Sequence, residues 1–101
     1  MIFRSRRFDD LVRRQLDAFA EDEADLLEEA RDAERAYDAA ERDDAEEAYS
    51  DFQLVLEAGA ERLAAIRDTY AARLDEATEA AYAQAFTRAA RKRFPQLTGD
   101  L

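Results

Sequence analysis

The sequence predicts an all-α fold: a long antiparallel helical hairpin, at about residues 6–41 and 45–74, with a shorter third helix at about 76–93 and coiled-coil-like packing. Three observations carry this expectation. Apolar residues recur at alternating spacings of three and four along two long stretches, the signature of a helix that buries one face. The chain of 101 residues holds only two Gly and one Pro, so little in it interrupts a helix. Ala is the commonest residue, and Ala, Glu, Arg and Leu all favour helix.

The first helix is defined by Leu16, Phe19, Leu26, Ala30, Ala33, Tyr37 and Ala40, with Phe8 and Val12 extending the stripe backwards. Read as one unbroken element it is on the order of 50 Å long at 1.5 Å per residue. So long a helix in so short a chain must lie against another of similar length. Glu23 interrupts the stripe. It either faces Arg62 or Arg67 across the hairpin as a register-setting polar residue, or sits at the edge of the stripe and reaches water. The cost of a buried unpaired carboxylate favours the edge position.

A turn is placed near residues 42–44, where Asp43 or Asp44 is available to accept the free amide hydrogens of a new helix and Glu46 and Glu47 suit its first turn. The second helix then carries Phe52, Val55, Leu56, Gly59, Leu63, Ile66, Tyr70 and Leu74, all within about 60° of one line at roughly 100° per residue. On its opposite side Leu54, Ala58, Ala65 and Ala72 form a second stripe of mostly small residues. A helix apolar on two sides sits between two neighbours.

Tyr82 and Phe86 fall about 120–160° from the line of Phe52 to Leu74, which predicts a break. Asp75 as N-cap, followed by Glu76 and Glu79, opens a third helix that presents Tyr82, Phe86 and Ala89. Pro95 ends it. Residues 1–94 are thus read as one helical domain and 95–101 as a short frayed tail. If the third helix folds back, it carries "RKRF" toward the middle of the rod and the two basic ends do not meet.

Leu, Ile, Val and Phe together number only 20, a thin core for a chain with a net charge of -10. The helices are therefore expected to depend on one another or on a second copy. Charge is segregated: residues 1–14 carry +3, residues 88–93 carry +4, and residues 15–87 carry -16. Arg91, Lys92 and Arg93 complement the dipole at a helix C-terminus, whereas Arg4, Arg6 and Arg7 oppose it at the other end and need another reason. The candidates for that reason are pairing with acids of a neighbouring helix or subunit, an acidic protein partner, or the phosphates of a nucleic acid or an anionic membrane surface.

The absence of Cys removes disulfides, thiolate ligands and thiol nucleophiles, and the absence of His removes imidazole chemistry. The ferritin-like pattern of Glu on one helix and Glu-x-x-His on the next is incomplete, since "EEARDAERAYDAAE" supplies Glu28, Glu29 and Glu34 without a histidine. No Gly-rich loop cradles phosphate, and no stretch resembles a signal peptide or a membrane span. The reading is a non-enzymatic, cytoplasmic interaction protein without a cofactor, acting as an adaptor, scaffold element or small subunit. It works through its helix faces on a protein partner or a second copy, as a homodimer or other homo-oligomer. Arg4, Arg6, Arg7, Tyr49 and Leu54 are the candidate partner-binding residues. The alternatives are a nucleic-acid-associated or regulatory module that uses the basic N-terminal segment and, more weakly, a dimer with a carboxylate-bridged metal. Tyr37 and Tyr70 lie on their stripes and are read as packing residues.

Overall fold

The computed structural model describes residues 7–99 and 101. It contains four helices, α1 (Asp9–Asp22), α2 (Ala24–Ala39), α3 (Ala45–Ala71) and α4 (Glu76–Arg93), and no strand among the described residues. The extents of 52 × 30 × 21 Å and a radius of gyration of 16.1 Å describe an elongated shape, since a compact chain of this length has a radius of about 13 Å.

The expected first helix is two helices. Glu23 leaves helical geometry at φ -109° and ψ 30°, ending α1 and opening α2. Its N–H still donates to the Phe19 carbonyl at 2.8 Å and its own carbonyl accepts from Leu27 N–H at 3.0 Å, so the break is confined to one residue. The reason lies in packing. The apolar residues of α1, Val12, Leu16 and Phe19, join one core with Tyr82, Phe86 and Ala90 of α4, while α2 lies along α3. One straight rod does not serve both neighbours.

Residue pairs give the directions. Tyr37 lies beside Tyr49 with ring centroids 5.3 Å apart, and Glu23 is ion-paired with Arg62. As α2 descends α3 ascends, so the two are antiparallel. Between α3 and α4 the pairs are Tyr70 with Tyr82 and Arg67 with Thr87, again antiparallel. Between α1 and α4 they are Phe8 with Tyr82 and Asp17 with Arg93, so these two run parallel. Three helical segments surround the core at one end, and the α2–α3 hairpin projects at the other.

Tyr82 is the hub of the core. It is fully buried, stacks edge-on against Phe8 at 5.5 Å, lies 4.8 Å from Tyr70, and donates its hydroxyl to Gln15 Oε1 at 2.8 Å. That bond satisfies the one polar atom that burial would otherwise strand.

The turns are built locally. Arg73 and Leu74 N–H groups bond three residues back to Tyr70 and Ala71, tightening the end of α3. Asp75 Oδ1 accepts from Thr78 N–H at 2.8 Å and so caps α4. At the start of α3, Asp44 holds the N-cap position, but among the described residues its carboxylate accepts no capping bond, contrary to the role expected of it.

The tail is not frayed. Leu97 and Thr98 are buried, and the Thr98 hydroxyl donates to the Phe94 carbonyl at 2.9 Å. Leu97 rests on Gly59 of α3, and Gln96 Nε2 donates to Glu34 of α2 at 2.8 Å. Residues 95–99 therefore form a strap from the end of α4 onto the hairpin, driven by burial of one leucine that periodicity alone does not mark.

Candidate interaction surface

Of the sequence-predicted contact residues, the described ones, Arg7, Tyr49 and Leu54, do not form one site. Arg4 and Arg6 lie outside the described residues. Arg7 is exposed and sits with its guanidinium carbon 5.4 Å from the Phe8 ring centroid, and its charge helps hold the Asp75 carboxyl below its ordinary value, after the larger effect of the Thr78 amide bond. It is part of the body's own architecture. Tyr49 is 47 % exposed and Leu54 is 64 % exposed, both on the projecting part of α3. Five residues separate them, about 140° around the helix, so they look in different directions. Tyr49 belongs to an aromatic cluster with Tyr37, which in turn stacks on Phe52. Tyr37, read as a packing residue, is itself 37 % exposed.

Among the described residues, Arg93 lies beside α1 beyond Arg7 rather than beside Arg7 itself. Arg93 pairs with Asp17 at 2.6 Å and Phe94 packs edge-on against Phe19 at 5.2 Å, both in the second half of α1. A groove between α1 and α4 is floored by Val12, Leu16, Ala85 and Ala89 and edged by Arg13, Lys92, Arg93 and Asp9. Its cations are partly spent within the molecule, because Arg13 pairs with Asp10 and Arg93 with Asp17.

The more open surface is the second stripe of α3. Leu54, Ala65 and Ala72 are exposed and Ala58 is half-buried. Both α2 and α4 lie toward the main stripe, so the second neighbour that two-sided apolarity implies is not supplied from within the described residues. Two adjoining grooves follow this side of the hairpin. The distal one lies between Glu29, Asp32, Ala33, Ala36 and Ala40 of the α2 side and Asp44, Glu47, Ala48, Asp51, Leu54 and Val55 of the α3 side. The other lies at the helix break, over Phe19, Ala58, Ala65 and Ile66, between Asp22, Glu23, Glu61 and Arg62. Positions 44, 47, 51, 54, 58, 61 and 65 advance by three and four, which places them on one continuous helix face.

Charge on this face is one-sided. Among the described residues, Asp22, Glu29, Asp44, Glu47, Asp51 and Glu61 have no cation within ion-pair distance. Arg62 is tied to Glu23, and Arg31 and Arg35 pair with Glu28 and Asp32 instead. Glu23 thus takes the cross-hairpin partner rather than the solvent-facing edge position favoured on burial cost. Its side chain stays a quarter exposed, which keeps the desolvation cost low.

No three carboxylates among the described residues come together closely enough to hold a metal ion. No described helix is long and apolar enough to cross a membrane. The acidic face was missed as a site because each of its acids reads as an ordinary solvated residue. The signal that identifies it is their placement on either side of the Leu54–Ala58–Ala65 stripe.

The fold and this surface define a small all-helical protein with an open helix face on α3 among the described residues. Compared with known proteins, the chain matches no family model, no curated protein and no solved structure.

Proposed function

We propose that this protein is a non-enzymatic interaction module, an adaptor or small subunit that works by packing a helix face against another protein. The observation that carries the reading is Leu54. A leucine 64 % exposed, on a stripe with exposed Ala65 and Ala72 and no helix over it among the described residues, loses the apolar burial that the rest of α3 obtains. Full burial of such a side chain is worth about 1.5–3 kcal/mol, a stabilisation available on association. The projecting hairpin adds to the argument, because residues that extend beyond the core contribute surface rather than packing.

The test is assembly. Light scattering over a range of protein and salt concentrations reads self-association, and a photo-crosslinking amino acid at position 54 in the native host reads contact with a partner. The reading expects a covalent adduct from position 54, to a second copy or to another protein, and no adduct from the same probe at Asp10 on the opposite end. A monodisperse monomer with no adduct from position 54 would sink it.

A further inference from the structure

We propose that the acid-rimmed trough along the outer face of α3 receives a basic amphipathic helix of a partner protein. The inference rests on the interaction-module reading above and names the partner by its chemistry. The trough runs on α3 from Asp44 to Ala65, 21 residues apart and on the order of 32 Å at 1.5 Å per residue. Its floor is Ala33, Ala36, Ala48, Ala58 and Ala65, with Leu54 and Val55 as the larger members. A floor of methyl groups lets a second backbone come close, and helices pack at about 8–10 Å between axes when the contact side chains are small. Together the two grooves span the length of an α-helix of about six turns.

The rim decides the charge of the occupant. Glu29, Asp44, Glu47, Asp51, Glu61 and Asp22 repel one another without an ion-pair partner among the described residues. Lys and Arg flanking an apolar stripe on an incoming helix meet them on both sides, while nucleic acid and anionic lipid are repelled. Among the described residues, α4 of a second copy is a poor occupant. The exposed cations Arg88, Arg91 and Lys92 ride on α4, whose apolar residues Tyr82, Phe86 and Ala90 are already fully buried in the chain's own core. That helix does not present basic and apolar faces together.

The experiment uses the full chain and two fluorescein-labelled peptides of about 21 residues, about the length of the trough. One places Leu and Ala on a single helical face with Lys and Arg elsewhere. The other has the same composition permuted so that no apolar face forms. Fluorescence anisotropy at about 150 mM salt, where the Debye length is about 8 Å, suppresses diffuse attraction. The amphipathic peptide is expected to bind at least about tenfold more tightly than the permuted one, a difference of about 1.4 kcal/mol. Leu54→Asp and Ala65→Asp, each at an exposed position, should each weaken it by about tenfold although they add negative charge, and Gln84→Ser, at an exposed position of α4 outside the trough, should leave it unchanged. Equal binding of the two peptides, or binding that Leu54→Asp and Ala65→Asp leave unchanged or strengthen, shows attraction to a charged surface alone and overturns the proposal. Crosslinking from position 54 separates the two failures. An adduct with a second copy or with a non-basic segment, alongside undiscriminating peptides, keeps the interaction module and removes the basic helix.

Discussion

Leu97 occupies the space that a side chain on Gly59 requires: a Cβ built on Gly59 stands 2.8 Å from Leu97 Cδ2 and 3.2 Å from Cδ1. The glycine sits in mid-helix with an ordinary negative φ, so it is there for close approach rather than for backbone freedom. Truncation of a buried leucine costs about 2–5 kcal/mol, and Leu97→Ala should fall at the lower end because the strap collapses readily. Gly59→Ala gains about 0.8–1.0 kcal/mol of helix propensity but displaces Leu97. The two changes are therefore coupled. In urea unfolding Gly59→Ala should stabilise the Leu97→Ala protein by about 1 kcal/mol and the parent protein by clearly less. Equal effects in both backgrounds show that Leu97 does not sit against Gly59.

The cap on α4 carries a pH signature. The Thr78 amide hydrogen bond, foremost, holds the Asp75 carboxyl below its ordinary value of 3.8. A depressed carboxylate contributes stability that is complete above the unfolded value and is lost as pH falls through the folded one. Relative to the intrinsic rate at each pH, amide exchange in the first turn of α4 should accelerate below about pH 4 in the native chain. In Asp75→Asn, which still accepts the bond without titrating, that acceleration should be absent. Asp75→Ala should exchange quickly at every pH.

Tyr82 has the opposite sign. Burial, foremost, pushes its hydroxyl above the ordinary 10.0. A raised value means that the contribution is complete below the unfolded value and disappears as pH rises through the folded one. The melting temperature should therefore drop above about pH 10. Tyr82→Phe should soften that drop and cost about 1 kcal/mol near neutrality through the lost hydrogen bond. Melting curves from pH 8 to pH 11, read by circular dichroism, separate the two effects.

The Glu23–Arg62 pair spans the hairpin where the first helical stretch breaks. Because Arg62 is half exposed, the coupling in a double-mutant cycle of Glu23→Ala and Arg62→Ala should be at most about 1 kcal/mol. The break itself should survive both changes, since the different neighbours of α1 and α2 impose it. Backbone chemical shifts for residues 20–26 check this, and a continuous helix there in Glu23→Ala shows instead that the ion pair creates the break.

Exposure sets a contrast along α3. Leu54→Asp should change stability by no more than about 0.5 kcal/mol, as surface substitutions do. Leu63→Ala, at a position with no exposed surface, should cost about 2–5 kcal/mol. Chemical denaturation of the two variants side by side tests whether the second stripe is free of the monomer's core.

Much of the helical content is legible in the chain. The stripes through Leu16 and Leu63, the break announced by the phase shift to Tyr82, and the Asp75 cap all rest on local periodicity or on one side-chain bond. The break at Glu23 is illegible because Leu26, Ala30 and Ala33 continue in phase with Val12, Leu16 and Phe19. No Gly or Pro stands there. The docking of Leu97 is equally hidden, being one contact between positions 38 apart in a segment too short to show a period. The candidate surface was half visible: Leu54, Ala58 and Ala65 read as a second stripe, yet which stripe stays open depends on where α2, α4 and the strap come to rest.

The sequence by itself determined the helical class, the place of the turns near residues 43 and 75, and the excess of acid through the middle of the chain, because each follows from propensity, periodicity or counting. Only the tertiary structure decided that α1 leaves α2 to join α4, that Arg93 meets Asp17 rather than Arg7, and that the carboxylates beside Leu54 face outward without cations among the described residues. These are outcomes of competition between distant apolar surfaces for the same partners. Burial energy is non-directional and summed over the whole molecule, so no local stretch of sequence records which surface wins.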